Sequence, residues 1–518
     1  MIHLDSLETV LLVGAVVLIV AIIAARLGNR IGLPSLLLFL GLGVVMGDSV
    51  LGLPFSDADL AQSLGMTALA LILAEGGLTT RWNDIRSSMG VASVLATGGV
   101  GVSIVVMALF GHFVLGLDLW LSVLLGAVCS PTDAAAVFSV LRNVSIPHRL
   151  RGILEAESGL NDAPTVLLVT VASALAMGNT SISGPVELVL LVVVELLGGV
   201  VLGVGLGWIG VAVLRRVALP SSGLYPLATI GWVVFGYGLG STLHVSGFAA
   251  VYVIALILGN AQLPHRAATR SFVEGMGWIA QIGLFVMLGL LASPGRLTLN
   301  TIVVGLLAGL VLTFVARPLS VFLSSLPFRI PLVQQAFVSW AGLRGAVPIV
   351  LATIPLAADV EGASYLFDVV FVFVIAFTLL QAPTLPLVAR LLNVVDHAAA
   401  HDVEVESAPL DRISAELLQV RIPVGSKLAG VEIQELRLPR NTVVSLVIRD
   451  STPFTPTGRD RLKVGDELLV VAPVAVREQA EEQLRSIGRY GRLARWREAT
   501  QGQGRGRRSA RGGPSSGS

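Results

Sequence analysis

The chain has 518 residues, of which 54% are hydrophobic and only 13% are charged. Soluble domains average about 25% charged residues, so this composition excludes a soluble globular protein and points to a chain that crosses a membrane many times. A net charge of +1 argues for no particular partner, and the lone Cys129 excludes an intrachain disulfide and a cysteine metal cluster.

Thirteen apolar stretches follow one another, near residues 8–25, 32–47, 60–79, 88–114, 119–141, 150–177, 186–214, 222–242, 246–263, 271–292, 299–325, 332–357 and 363–391. Residues 1–8 lack a basic region and the first run is long enough to span, so no cleavable signal peptide is expected. The loops alternate in charge. One set carries twelve arginines: 26, 30, 81, 86, 142, 149, 151, 215, 216, 266, 270 and 329. The opposite set carries Asp48, Asp57, Asp59, Asp118, Asp359 and Glu361, with Arg296 as its one basic residue. Positive charge stays on the cytoplasmic side. The N-terminus is therefore expected outside, and everything after Arg390 in the cytoplasm.

Polar residues inside these runs need a reason, because a charge at the bilayer centre costs roughly 2.5 to 3.5 kcal/mol on insertion scales. The first is Glu75, in the third stretch, six residues before Arg81. It reads either as a pathway acid or as an interfacial one. The fifth stretch holds Ser130-Pro131-Thr132-Asp133. Pro131 has no amide hydrogen and clashes with the carbonyl four residues back, which predicts a broken helix. Such a break is tolerated where it is buried in protein or lines water, and its free carbonyls can hold a cation. Asp133 adds a carboxylate at that depth.

The sixth stretch carries Glu157-Ser158-Gly159-Leu160-Asn161-Asp162. On a helix Ser158 and Asp162 share one stripe and Glu157 and Asn161 the next. Starting the span at Asp162 would leave only residues 162–177, short of the roughly 20 that a crossing needs. In the seventh stretch Gly198, Gly199, Gly203, Gly205, Gly207 and Gly210 suit close helix contacts, including contacts between subunits. The eleventh carries Arg317-Pro318, read as intramembrane or snorkelling. The twelfth holds Gly342-Leu343-Arg344-Gly345-Ala346-Val347-Pro348, a second predicted break. A buried Arg344 needs an acid, and Glu157 is the expected partner, the pair forming a neutral strut. Snorkelling to the cytoplasmic face is the alternative for Arg344.

Asp133 and Asp162, with Ser158, Thr132 and free carbonyls, make an oxygen-rich pocket of the kind hard cations prefer. Two like charges held close also favour a proton. One site would thus take a cation or a proton, each excluding the other. There is no GxxxxGK[ST] run to suggest a hydrolytic motor, so gradients must drive transport, and no cofactor is expected. A cation channel would want a TVGYG-like filter loop, and an enzyme an activated nucleophile or histidine metal cluster; the sequence has none of these.

After residue 395 the composition changes. Residues 396–410 read as a linker and 411–475 as a small α/β domain. Its expected strands lie at 417–422, 442–448 and 467–471, with a short helix at 431–436. Residues 476–518 read as a charged helix followed by a disordered basic tail. No nucleic-acid partner is expected for that tail.

Residues 157–162, 130–133 and 342–348 together resemble the NhaP-like branch of the monovalent cation/proton antiporters, over about residues 8–391. The resemblance implies an all-α membrane domain of about thirteen helices, built as inverted repeats with two broken, crossing helices. It implies a homodimer in a bacterial plasma membrane. It also implies roles: Asp162 as principal cation and proton carrier, Asp133 and Ser158 as ligands, Thr132 through its backbone, and Glu75 as a further or near ligand. Asn161 would organise the crossing at the Pro131 break, and Glu157 with Arg344 would brace it. Asn161 ahead of Asp162 is similar to the electroneutral branch, implying one proton per cation. Residues 420–473, through Gly425-Ser426, Leu428-Ala429-Gly430, Leu436, Arg449 and Gly465-Asp466-Glu467-Leu468, resemble the C-terminal regulatory lobe of potassium-conductance regulators. That likeness implies an unidentified small-molecule ligand and tilts the expected cation from Na+ towards K+.

Overall fold

The computed structural model describes residues 7–31, 34–47, 51–53, 55, 57–141, 144, 146–178, 185–292, 294–395, 404–410, 415–423, 425–450 and 452–491. The chain divides into two compact units, Met1–Val395 and Asp396–Ser518. Asp48, Arg142 and the basic tail lie outside the described residues.

Among its described residues the first unit is mainly helical. In order it holds α1 (Leu7–Ile31), α2 (Ser35–Met46), α3 (Ala58–Thr79), α4 (Trp82–Ile85), α5 (Met89–Val94), α6 (Val100–Phe113), α7 (Leu119–Cys129), α8 (Ala134–Val140), α9 (His148–Ala176), α10 (Pro185–Arg216), α11 (Leu224–Thr242), α12 (Gly247–Asn260), α13 (Arg266–Leu291), α14 (Leu299–Val311), α15 (Arg317–Ser325), α16 (Leu332–Trp340), α17 (Val347–Ala357) and α18 (Ala363–Leu391). Each of the thirteen apolar stretches holds a helix or a run of helices. Among the described residues seven are long and apolar enough to cross a membrane unaided, and the bent pair α7–α8 makes an eighth. α2 and α12, with 12 and 14 residues, rise about 18 and 21 Å, less than the roughly 30 Å hydrocarbon core.

The element order repeats. A π-helical turn joins α5 to α6 at Leu95–Gly99, and another joins α14 to α15 at Leu312–Ala316. Each is followed by a broken helix, α7/α8 or α16/α17, and then by a 29-residue helix with proline inside it, Pro164 in α9 and Pro383 and Pro386 in α18. In α9 the Thr165 hydroxyl donates to the carbonyls of Asn161 (2.8 Å) and Asp162 (3.0 Å), next to the Leu160 carbonyl that Pro164 leaves without its ladder donor.

Helix contacts are made by small residues, as expected where lipid supplies no hydrophobic drive between helices. The glycine stripe of α10 lies against α11 and α12 of the same chain. A Cβ on Gly199 would strike Ser246, one on Gly203 the Ala250 backbone and Val253, and one on Gly210 the Trp232 indole. Gly205 faces open space. The stripe therefore serves packing within the chain. Gly43 of α2 and Gly289 of α13 approach the same way, each against the other's backbone.

The second unit is an antiparallel five-stranded sheet in the order β1-β2-β5-β3-β4, with β1 Glu404–Leu410, β2 Ala415–Arg421, β3 Val443–Arg449, β4 Thr452–Phe454 and β5 Glu467–Pro473. Leu418 and Val420 of β2 pair with Val470 and Leu468 of β5, all fully buried. The expected short helix is a 3-10 turn, Ile433–Leu436, closed by a Glu432/Glu435 capping box. Two boundaries differ from the sequence reading. β1 occupies part of the expected linker and pairs with β2. The charged helix α19 (Arg477–Tyr490) belongs to the domain, because Ala480, Leu484 and Ile487 form a stripe that enters its core. Buried Asp466 accepts two hydrogen bonds from Arg449, at 2.8 and 2.7 Å, and a third from the Lys463 amide at 2.7 Å.

Gly203→Leu should overpack the α10–α12 seam and destabilise the folded protein by about 1–3 kcal/mol, whereas Gly205→Leu should be tolerated. Thermal melting of the two purified variants in detergent checks this contrast.

Candidate cation and proton site

The site is where the two breaks meet. α7 ends at Cys129, residues 130–133 leave the helix, and α8 restarts at Ala134 with a bend of 44°. α16 ends at Trp340, and α17 restarts at Val347. Unwound backbone at this depth must be satisfied by protein, and each break supplies the other. The Asp133 amide donates to the Leu343 carbonyl at 2.8 Å. The Arg344 Nε donates to the Cys129 carbonyl at 3.2 Å, and its Nη1 to the Gly342 carbonyl. Arg344 thus sits among carbonyls at the C-terminal ends of α7 and α16, the negative ends of the helix dipoles. Asp133 sits at the opposite pole: its Oδ1 accepts from the Ala135 and Ala136 amides at 2.9 and 3.2 Å, capping α8. A Cβ on Gly345 would run into the Asp133 carboxylate. Glycine there is what lets the second break close on the first.

α9 passes beside the crossing as an unbroken helix and presents its polar residues to it. Ser158 Oγ accepts from the Ala134 amide at 3.1 Å. Asn161 Nδ2 donates to Thr132 Oγ1 at 3.0 Å and lies 3.5 Å from the Thr132 carbonyl. Asp162 is 7% exposed, and its Oδ1 is buried with no hydrogen-bond partner, as is Asn161 Oδ1. Asp133 lies within Coulombic reach of Asp162. A buried carboxylate oxygen without a donor is a strong acceptor in need of a cation or proton.

The structure corrects the expected strut. Glu157, 1% exposed, is gripped by Arg317, not by Arg344. Arg317 Nη1 bonds Glu157 Oε1, and Nη2 bonds Oε2 at 2.9 Å. Arg317 also donates to the Val338 carbonyl at 3.4 Å. A bidentate fork outcompetes a single contact, and the π-helical turn ends immediately before Arg317. Arg344 is left to the half-helix carbonyls, and its own carbonyl accepts from Thr378 at 2.9 Å. Gly342 separates the two guanidinium groups, with no room for a Cβ between them.

The crossing therefore brings together Asp162, Asp133, Ser158, Thr132, Asn161, Pro131 and Arg344. Glu75, on α3, lies against Gly277 of α13, within Coulombic reach of Arg270 and Glu274. The sequence reading missed Arg317 as the partner of Glu157, Thr378, and Glu155, whose Oε1 accepts from Thr80 at 2.9 Å. The Arg317-Pro318 dipeptide deep in an apolar run was the available signal for the first.

Broken helices that meet in this way are a feature of secondary transporters. Residues 15–391 match the family described as "Sodium/hydrogen exchanger, transmembrane", and residues 417–485 match the TrkA-C domain. The chain is 35% identical over 480 residues to the K(+)/H(+) antiporter NhaP of Alkalimonas amylolytica, covering 91% of this chain and 82% of that one. It is 34% identical over 478 residues to the K(+)/H(+) antiporter NhaP2 of Shewanella oneidensis, covering 90% and 82%. The structure of the sodium proton antiporter MjNhaP1 from Methanocaldococcus jannaschii superposes with a TM-score of 0.64 at 23% identity, over 75% of this chain and 98% of that one. The chain belongs to the sodium/hydrogen exchanger family. It is a membrane cation/proton antiporter followed by a TrkA-C domain.

Removing one partner of a buried ion pair leaves the other charge orphaned, at about 3–5 kcal/mol. Glu157→Gln and Arg317→Gln should each lower the yield of folded protein and the melting temperature sharply. The double variant should fall short of the sum of the two losses. Additive losses would mean that the two side chains do not act as a pair.

Proposed function

We propose that the protein exchanges K+ for H+ by alternating access at Asp162, one proton per cation. The observation that carries this reading is the unpartnered Asp162 carboxylate oxygen beside Asp133 at the helix crossing. Asp162 binds either the cation or the proton. Asp133, Ser158 and the Thr132 backbone complete the oxygen shell. Asn161 and Pro131 shape the crossing, Arg344 neutralises the half-helix ends, and Glu157 with Arg317 braces it. Glu75 serves as a further or near ligand of the cation.

K+ is favoured by the names of the two curated relatives. A second reading, Na+ or Li+ for H+, is supported by the family description and by the similarity to MjNhaP1, a sodium proton antiporter. The arginine-rich loops support an N-terminus outside and a TrkA-C domain in the cytoplasm, in a bacterial plasma membrane crossed by about thirteen spans. The protein works as a homodimer in lipid, and the TrkA-C domain binds a small molecule that sets activity.

Proteoliposomes loaded with a pH dye and clamped with an ionophore test this reading. K+ should drive proton flux better than Na+ or Li+, with no net current. Asp162→Asn should abolish flux at wild-type expression, and retained flux would remove Asp162 as carrier. Truncation after Val395 should keep coupled exchange and change its regulation. Loss of exchange in a stable truncated protein would give the C-terminal unit more than a regulatory role.

A further inference from the structure

Tyr252 of α12 is 3% exposed, and its hydroxyl is buried with no hydrogen-bond partner. A phenol taken out of water without a partner is unfavourable by a few kcal/mol. Its position is specific. A Cβ on Gly159 would meet the ring Cζ at 2.5 Å and the hydroxyl oxygen at 2.6 Å. The tip of Tyr252 therefore lies in the gap that Gly159 leaves on α9.

Gly159 lies between two acids on one stripe. Glu155, Gly159 and Asp162 stand at i, i+4 and i+7, so they share a helix face. Helical side chains lean towards the N-terminus, which tilts the Asp162 carboxylate over the turn that carries Gly159. Two buried oxygens without protein donors, Tyr252 Oη at Gly159 and Asp162 Oδ1, thus lie along one face of α9, at positions three residues apart. Glu155 follows one turn towards the arginine-rich end. It is fixed to α3 by Thr80 at 2.9 Å and lies within Coulombic reach of Tyr252, Arg151, Asp84 and Arg270.

We propose that the Tyr252 hydroxyl is a ligand for the transported cation on its way between Glu155 and Asp162, and that its ring closes the path over Gly159 when the site is empty. A phenol oxygen suits a hard monovalent cation, directly or through one water. It adds no charge, so the cation passes from one carboxylate to the next without a deep trap. This inference rests on the reading of Asp162 given above.

Tyr252→Phe keeps the ring and removes the ligand. In the proteoliposome assay it should raise the apparent KM for K+ about fivefold, the fold-change of one neutral hydrogen bond. Vmax should stay within about twofold, and the ratio of KM for K+ and Na+ should shift. The melting temperature without cation should hold, because no hydrogen bond to protein is lost. A wild-type KM and cation ratio in this variant, with or without a change in melting, overturns the proposal. Asp162→Asn run alongside separates the two claims. Retained exchange there removes the carrier reading, whereas an inactive Asp162→Asn with a wild-type Tyr252→Phe removes the Tyr252 ligand alone.

Discussion

The structure depends on one constraint: backbone unwound inside a membrane must find its partners in protein. Two helices are broken at the same place, and their free groups are satisfied across the crossing by the Asp133 amide on the Leu343 carbonyl and by Arg344 on the Cys129 carbonyl. The two charges are sorted by the half-helix dipoles. Arg344 lies at the C-terminal ends and Asp133 at an N-terminal one. Asp133 binds the α8 amides through Oδ1, and the buried Oδ1 of Asp162 has no hydrogen-bond partner. On the proposed reading a carrier must hold its ion and release it, which suits a carboxylate with one oxygen free of fixed protein donors.

On the proposed reading the polar crossing must also stay in register while it exposes the ion to either side. The Glu157–Arg317 fork ties α9 to α15 beside the site, and Asn161 ties α9 to the first break through Thr132. The glycine seam between α10 and α12 and the Gly43–Gly289 contact between α2 and α13 join helices by backbone approach. Polar forks hold the crossing, and small residues hold the helices of those two contacts.

The parts of this arrangement legible in the sequence are those where a residue contradicts its surroundings. Asp133 and Asp162 stand out because an acid in an apolar run has no other place. Pro131 and the paired glycines around Arg344 announce breaks because they remove a donor or a side chain. The lobe strands show through their alternation. What escaped is pairing at a distance. Glu157 and Arg317 are 160 residues apart, and two buried arginines compete for one acid; only the π-helical turn before Arg317 and the bidentate geometry decide between them. The glycine stripe of α10 fits a contact with any neighbour equally well. Glu75 reads equally as a pathway acid or an interfacial one, and its neighbours on α13, Gly277 and Glu274, are about 200 residues away in sequence. In α19 the surrounding charges hide the stripe that joins the lobe core.

The central claim is that one carboxylate serves the cation and the proton in turn. Calorimetric titration of the purified protein with K+, repeated in buffers of different ionisation enthalpy, measures the protons released per cation bound. The account predicts proton release that accompanies K+ binding in the wild type and is lost, along with the binding, in Asp162→Asn. Cation binding without proton release, or undiminished binding and release in Asp162→Asn, would contradict it.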